Sequence, residues 1–499
     1  MISEALQKAR DFEAQYGLHI PDSERPAFHV TPTIGWMNDP NGFSLYKGEY
    51  HLFYQYNPYS NEWGTMHWGH VKTRDFIRWE RLPAALAPDK PNDDAGGCFS
   101  GSAVELPDGR QLLLYTGVQR GHNPEGYIQD IQTQCIAIGD GLDYEKCLEN
   151  PVLEGKDLPE GGSPIDFRDP KIWQEEDGAY YAVIGNRTED GSGAILLYRS
   201  ADAINWEYVR TLDRCNNQYG KMWECPDFFP LDGKHVLLTS PQEMNPVGLE
   251  FHAGNGTVCL IGDYDPNGKG FTRQFVQAID YGLDFYAPQT LLAPDGRRIM
   301  IAWMQNWSTA GAKPYHCRWF GQMTLPRELS VKDGRLYQNP VREMEAYRGQ
   351  RVIHRNIPVS GEINLPGVQG RTLDMTVTVK PTGTDPYRWF RIRVAKDGEH
   401  ETIIRYRPSD GTLKIDRTRS GLPHDIVHTR SFFVRYQGGE IKLRIVLDRF
   451  SLEVFVNDGE QAASSVIYTR QEADVISFEA GGAVLMDVEK YDLVFDEEA

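Results

Sequence analysis

The chain is 499 residues long, 40% hydrophobic and 25% charged, with a mean hydropathy of −0.51. This composition excludes a disordered chain or a fibre, no apolar run reaches the roughly 18 residues of a membrane span, and the length predicts two domains or three. Asp and Glu number 71 against 52 Lys and Arg, a net charge of −19, which argues against nucleic acid or an anionic membrane as a partner.

Residues 1–17 predict one amphipathic helix, with Leu6, Ala9, Phe12 and Tyr16 at helical spacing and Gly17 as its stop. This N-terminus has no apolar core of the kind a secretory signal needs, so a cytoplasmic protein is expected. The cysteines stand at 98, 135, 147, 215, 225, 259 and 317, with no CxxC pair, and no His pair has zinc-ligand spacing. Free thiols in a reducing compartment and no metal are therefore expected. No GxGxxG and no GxxxxGK[ST] occurs, so no cofactor is expected either.

Beyond the helix the pattern changes to short apolar runs, each preceded by a tight turn. It reads KGEYHLFYQY at 47–56, DGRQLLLYTG at 108–117, DGAYYAVIGN at 177–186, DGKHVLLTSP at 232–241 and DGRRIMIAWM at 295–304. Gly between apolar runs supplies the positive φ of a hairpin turn. A hairpin returning about every 60 residues predicts a β-propeller of five blades. An octapeptide of the form [ST]-x-D-x-x-x-W-E also recurs, at Thr73–Glu80 and Ser200–Glu207.

Nine residues before the five turn glycines stand Asp39, Ser100, Asp169, Glu224 and Ala287. Three of these are carboxylates, within WMNDPNG, FRDP and WECPD. In a propeller the first strand of each blade lines the axis, so equivalent positions converge although 185 residues separate Asp39 from Glu224. Three converging carboxylates suit glycosidic bond cleavage, in which one group must be ionised and another protonated. Like charges brought together raise one pKa and supply that division. Trp36, Trp63, Phe99 and Trp223 nearby suit a sugar pocket. The same oxygens could hold a divalent cation, but that chemistry favours more Asp and Asn within a single loop.

From about 346 the pattern changes again. Residues 346–358 read as a linker. Alternating runs such as LDMTVTVK, RWFRIRVAK, IKLRIVLD and SLEVFVND then predict a β-sandwich over 359–499, with a hairpin turn at Asn457-Asp458-Gly459. The expected order is a helix and lead-in at 1–24, a propeller at 25–345, the linker, and the sandwich. The fold class is all-β.

WMNDPNG at 36–42, FSGSA at 99–103, FRDP at 167–170, WECPD at 223–227 and FYAPQT at 285–290 resemble, in order, the motifs of glycoside hydrolase family 32. LDRFSLEVFVNDGE at 447–460 resembles that family's C-terminal module. The resemblance runs from about residue 25 to the end, and it implies a five-bladed propeller followed by a sandwich. It also implies a retaining β-fructofuranosidase acting on sucrose, sucrose 6-phosphate or short fructo-oligosaccharides. Asp39 would be the nucleophile, Glu224 the general acid and then base, and Asp169 the transition-state stabiliser on the fructose 3- and 4-hydroxyls. Asn38, Gln55, Trp63, Phe99 and Ser100 would line the fructose subsite, Trp36 and Trp303 would form apolar walls, with core packing the equal alternative for Trp303, and Arg168 would orient a carboxylate or a hydroxyl or else form a structural ion pair. Cys225 follows the acid/base as in the family.

The expected partner is a small sugar, and homodimerisation through the sandwich stays open. A 6-phosphate would need cations beside the glucose subsite, for which Lys221, Lys313, His316 and Arg318 are candidates. A fructosyltransferase sharing the same covalent intermediate, and a catalytically silent sugar-binding propeller, are the competing readings.

Overall fold

The computed structural model describes residues 2–123, 125–311, 313, 317–383, 387–435 and 438–495. Five antiparallel sheets follow one another along the chain, and each is built from four successive main strands. Their first strands are Gly35–Tyr46, Gly97–Glu105, Gly162–Gln174, Trp223–Leu231 and Tyr286–Leu292. These are the blades of the expected propeller. The five turn glycines join the first and second strand of every blade, and all five have φ between +78° and +86°. In that range a side chain is strained and glycine is not.

The first blade gains a fifth strand, Trp319–Phe320, which runs parallel to it with Gly35 opposite Trp319 and Trp36 opposite Phe320. A segment inserted in the fifth blade thus closes the ring against the first. Below the carboxylates the axis is filled by polar side chains that reach between blades. Gln289 donates to the Gly101 carbonyl at 2.7 Å, and Lys171 donates to the Thr290 carbonyl at 2.6 Å. The recurring octapeptide is the turn between third and fourth strands in the first and third blades. In both copies one Asp oxygen accepts backbone N–H groups, from Ile77 and Arg78 to Asp75 and from Ile204 and Asn205 to Asp202. Its repetition reflects turn geometry.

The helix is shorter than expected. Ser3 caps Glu4–Phe12, and a π-helical turn covers Glu13–Gly17. Leu6 and Ala9 are buried, whereas Tyr16 is not.

The segment expected as a linker carries the strand Arg348–Ile363, which pairs with the long last strand Val475–Leu493. That last strand serves both layers of the sandwich. Its first half pairs with Trp389–Lys396 and its second half with Leu373–Pro381. The sandwich packs on the propeller through a buried ionic seam to which both layers contribute. Arg327 bonds Glu453 and Asp280, His29 stands between Asp448 and Glu453, and Arg417 pairs with Asp284. Among the described residues no helix is long and apolar enough to cross a membrane.

Candidate active site

Each first strand carries a β-bulge at the same height. The pairing register shifts between Met37 and Pro40, Phe99 and Gly101, Arg168 and Lys171, Glu224 and Asp227, and Tyr286 and Gln289. A bulge adds a residue and re-aims side chains, and five of them surround one axis here. Asp169, Cys225 and Ala287 occupy equivalent bulge positions with φ of 65°, 50° and 51°, a left-handed conformation that costs a non-glycine residue energy. The count of nine residues therefore needs a one-residue correction in the first and fourth blades, where Asn38 and Cys225 take the place counted for Asp39 and Glu224. Cys225, not Glu224, is the equivalent of Asp169, because the turn at Asp232-Gly233 is shorter than that of the third blade. Glu224 instead shares its position with Arg168 and Tyr286, the last residues paired before their bulges.

That equivalence puts these three side chains in contact across adjacent blades. Arg168 donates to Oε1 of Glu224 from Nε at 3.1 Å and from Nη2 at 3.0 Å, and the Tyr286 hydroxyl donates to Oε2 at 2.5 Å. Arg168 is held in turn by Asp166 at 2.9 Å and Gln132 at 3.2 Å. Burial lowers the Arg168 pKa, but the charges of Glu224, Asp169 and Asp166 outweigh it and the net shift is upward. This guanidinium is a permanent positive charge at the centre of the trio.

Cys225 links the other two carboxylates. Its backbone N–H donates to Oδ2 of Asp169 at 3.0 Å, and its Sγ lies 3.6 Å from Oδ2 of both Asp39 and Asp169. Burial and the three carboxylates hold the thiol neutral, well above its ordinary pKa. Ser100 donates to Oδ2 of Asp39 at 2.9 Å, while Oδ1 is buried with no hydrogen-bond partner among the described residues. Burial, and then the charge of Glu224, raise the Asp39 pKa to about 6 despite the opposing bond from Ser100. Burial raises Asp169 as well, Arg168 opposing.

The expected binding residues divide into two groups. Asn38, Gln55, Ser100 and Arg168 are buried around the trio, with Asn38 accepting from Trp36 Nε1 at 2.7 Å and Gln55 donating to the Cys98 carbonyl at 2.9 Å. Trp63 is half exposed at the rim and meets Phe99 edge-on, with ring centroids 6.2 Å apart. Trp303 takes the core-packing alternative. It is fully buried 6.0 Å from the Trp36 ring and packs that wall from behind, offering no surface to a sugar. Trp223 likewise lies in the propeller core, its indole N–H donating to the Tyr219 carbonyl.

Sequence reasoning missed Tyr286, Asp166 and Trp307, which stacks on Trp36 at 6.2 Å. Tyr286 was within reach, since FYAPQT is one of the quoted motifs. Its role became visible only once the bulge register was corrected by one residue. Of the cation candidates, Lys221 pairs with Glu243 at 2.8 Å, Lys313 with Glu62 at 3.4 Å and Arg318 with Glu24 at 3.7 Å. His316 lies outside the described residues. Among the described residues no cluster of His, Cys, Asp and Glu could hold a metal ion.

Comparison with known proteins places two family models on the chain. The glycosyl hydrolases family 32 N-terminal domain matches residues 29–340, and the family 32 C-terminal model matches 343–493. A sucrose-6-phosphate hydrolase of Zymomonas mobilis is 38% identical, covering 91% of this chain and 88% of that protein. A raffinose invertase of Escherichia coli is also 38% identical, covering 93% and 94%. A Bombyx mori GH32 beta-fructofuranosidase superposes with a TM-score of 0.82 at 34% identity over 98% of both chains. A mutant of that enzyme, solved in complex with sucrose, gives 0.83.

Proposed function

The chain belongs to glycoside hydrolase family 32, and from that membership we propose a retaining β-fructofuranosidase that cleaves the terminal β-fructofuranoside bond of sucrose-type substrates. The observation that carries the residue assignment is the meeting of Asp39, Asp169 and Glu224 around Cys225. Asp39 is the nucleophile that attacks C2 of fructose. Glu224 is the acid that protonates the bridging oxygen, and afterwards the base that activates water against the fructosyl-enzyme. Asp169 holds the sugar hydroxyls. Arg168 and Tyr286 fix the Glu224 carboxyl, so the proton is delivered along one direction.

The finer reading is an unphosphorylated substrate. Each described cation offered for a phosphate is paired with a glutamate, so binding a phosphate would first have to break an ion pair. Seven cysteines that all remain thiols support a cytoplasmic setting. Transfer to a second sugar is not favoured.

The experiment is kcat/KM on sucrose and on sucrose 6-phosphate in parallel, with Asp39→Asn as blank. Equal values, or a preference for free sucrose, support this reading. A preference of about ten-fold for the phosphorylated sugar, or about 1.4 kcal/mol, would overturn the finer reading and keep the hydrolase. Turnover of neither by a folded sample would overturn the hydrolase itself.

A further inference from the structure

We propose that the N-terminal helix is a brace for the sugar-binding rim, with Phe12 and Tyr59 as positioning residues that hold Trp63 over the pocket. The proposal rests on the assignment of Trp63 to the substrate subsite.

The helix is too short to persist alone, and blade contacts anchor it. Leu6 and Ala9 are buried, Arg10 donates to the Ala84 carbonyl at 2.9 Å and pairs with Asp143 at 2.7 Å, and the Glu13 carboxyl accepts the Ala84 N–H at 3.0 Å. Its C-terminal end then places the half-buried Phe12 against Ile20, Ile34 and Trp319. The Phe12 ring meets Tyr59 at 5.2 Å, edge to face, and Lys8 Nζ lies 5.5 Å from the centre of the Tyr59 ring.

Tyr59 opens the irregular stretch between the strands Glu49–Asn57 and His67–Thr73. That stretch has little ladder pairing, so its position depends on side-chain ties. Tyr59 packs on His67 at 5.6 Å, Asn57 donates to the Glu62 carbonyl at 3.0 Å, and Asn61 donates to the Cys317 carbonyl at 2.9 Å. Trp63 stands at the far side of this turn, against Phe99. The neighbour of Phe99, Ser100, bonds the Asp39 carboxylate. The helix thus ties down Tyr59, at one end of this turn, and the turn's own backbone carries that restraint to Trp63 at the rim, while Arg168 and Tyr286 hold Glu224 from other blades. Loosening the helix lowers the fraction of molecules with Trp63 in place and leaves the chemistry intact. Apparent affinity falls in proportion to that fraction.

The test compares Tyr59→Ala, Phe12→Ala and Tyr59→Phe in the full chain. The two alanine variants should raise KM for sucrose about 5- to 10-fold with kcat within about two-fold, and Tyr59→Phe should behave as the parent. In a Trp63→Ala background the same substitutions should add nothing further to KM. Amide hydrogen exchange over residues 57–66 should speed up in both alanine variants. Unchanged KM in the alanine variants overturns the proposal, as does a full additional KM rise in the Trp63→Ala background. If the parent turns over no sucrose, the hydrolase reading fails and the exchange measurement decides the brace, with unchanged exchange over 57–66 rejecting it.

Discussion

Tyr286 donates its hydroxyl to Oε2 of Glu224 at 2.5 Å, on the opposite oxygen from Arg168. The same hydroxyl lies 3.0 Å from the Ser240 carbonyl, a second acceptor within reach of its one proton. A carboxyl held this way is aimed at one place. Tyr286→Phe should lower kcat on sucrose about 10- to 100-fold, with a much smaller change in KM. A nitrophenyl β-fructofuranoside, whose leaving group needs no proton, should recover most of that loss. An equal loss on both substrates would mean that Tyr286 does not act through the proton transfer.

Asp39 combines burial with a neighbouring carboxylate, and this makes it costly to the fold. Its pKa rises from 3.8 to about 6 on folding, so the native state binds the proton more tightly than the unfolded chain. Stability is therefore lost as pH climbs from about 4 to about 6, and the loss persists at neutrality. Asp39→Asn should abolish most turnover, by on the order of 10³-fold, and at pH 7 stabilise the protein by roughly 1–3 kcal/mol. Denaturant unfolding at pH 4 and pH 7 checks the sign: the variant should gain at pH 7 and show little difference at pH 4. A loss of stability at pH 7 would contradict the burial argument.

Much of this site was legible because the propeller writes its geometry into periodic turns. Gly48, Gly109, Gly178, Gly233 and Gly296 each need a positive φ, and that requirement fixes five blades and, to within one residue, the height of Asp39, Asp169 and Glu224 on the axis. What periodicity does not encode is the bulge. A two-residue turn in the fourth blade shifts Glu224 by one place, and only the pairing register reveals it as the counterpart of Arg168 and Tyr286. Trp303 is ambiguous in sequence for a related reason, because tryptophan in an inner strand suits a sugar wall and an aromatic core equally well. The strand Arg348–Ile363 passed for a linker because it is mostly polar and contains Gly and Pro; it reads as a strand only beside its partner Val475–Leu493.

Ser100 and Cys225 both approach Oδ2 of Asp39, at 2.9 Å and 3.6 Å. A hydroxyl bonding a carboxylate is a strong, charge-assisted donor and a thiol is a weak one. Removing a donor to the ionised form makes the carboxylate easier to protonate, so the acid limb of kcat/KM should move to higher pH. Ser100→Ala should move it by about one unit and Cys225→Ala by less than about half a unit. The ordering is the test. A larger shift for Cys225→Ala would make the thiol, rather than the serine, the group that tunes the nucleophile.

His29 ties the two domains together, with Nδ1 2.8 Å from Asp448 and Nε2 3.0 Å from Glu453. Burial pulls its pKa down, but the two carboxylates outweigh it and raise the group from 6.5 to about 9. A histidine whose pKa rises on folding stabilises fully below its unfolded value and loses that contribution as pH climbs through the folded one. Stability should therefore fall between about pH 6.5 and pH 9, by up to about 3 kcal/mol. His29→Gln should be less stable at pH 6, because Asp448 and Glu453 lose a charged partner in a buried seam, and its stability should change less across the same range. Thermal unfolding of both proteins from pH 6 to pH 9.5 measures the difference. If the two curves run parallel, His29 is not the proton that links the propeller to the sandwich.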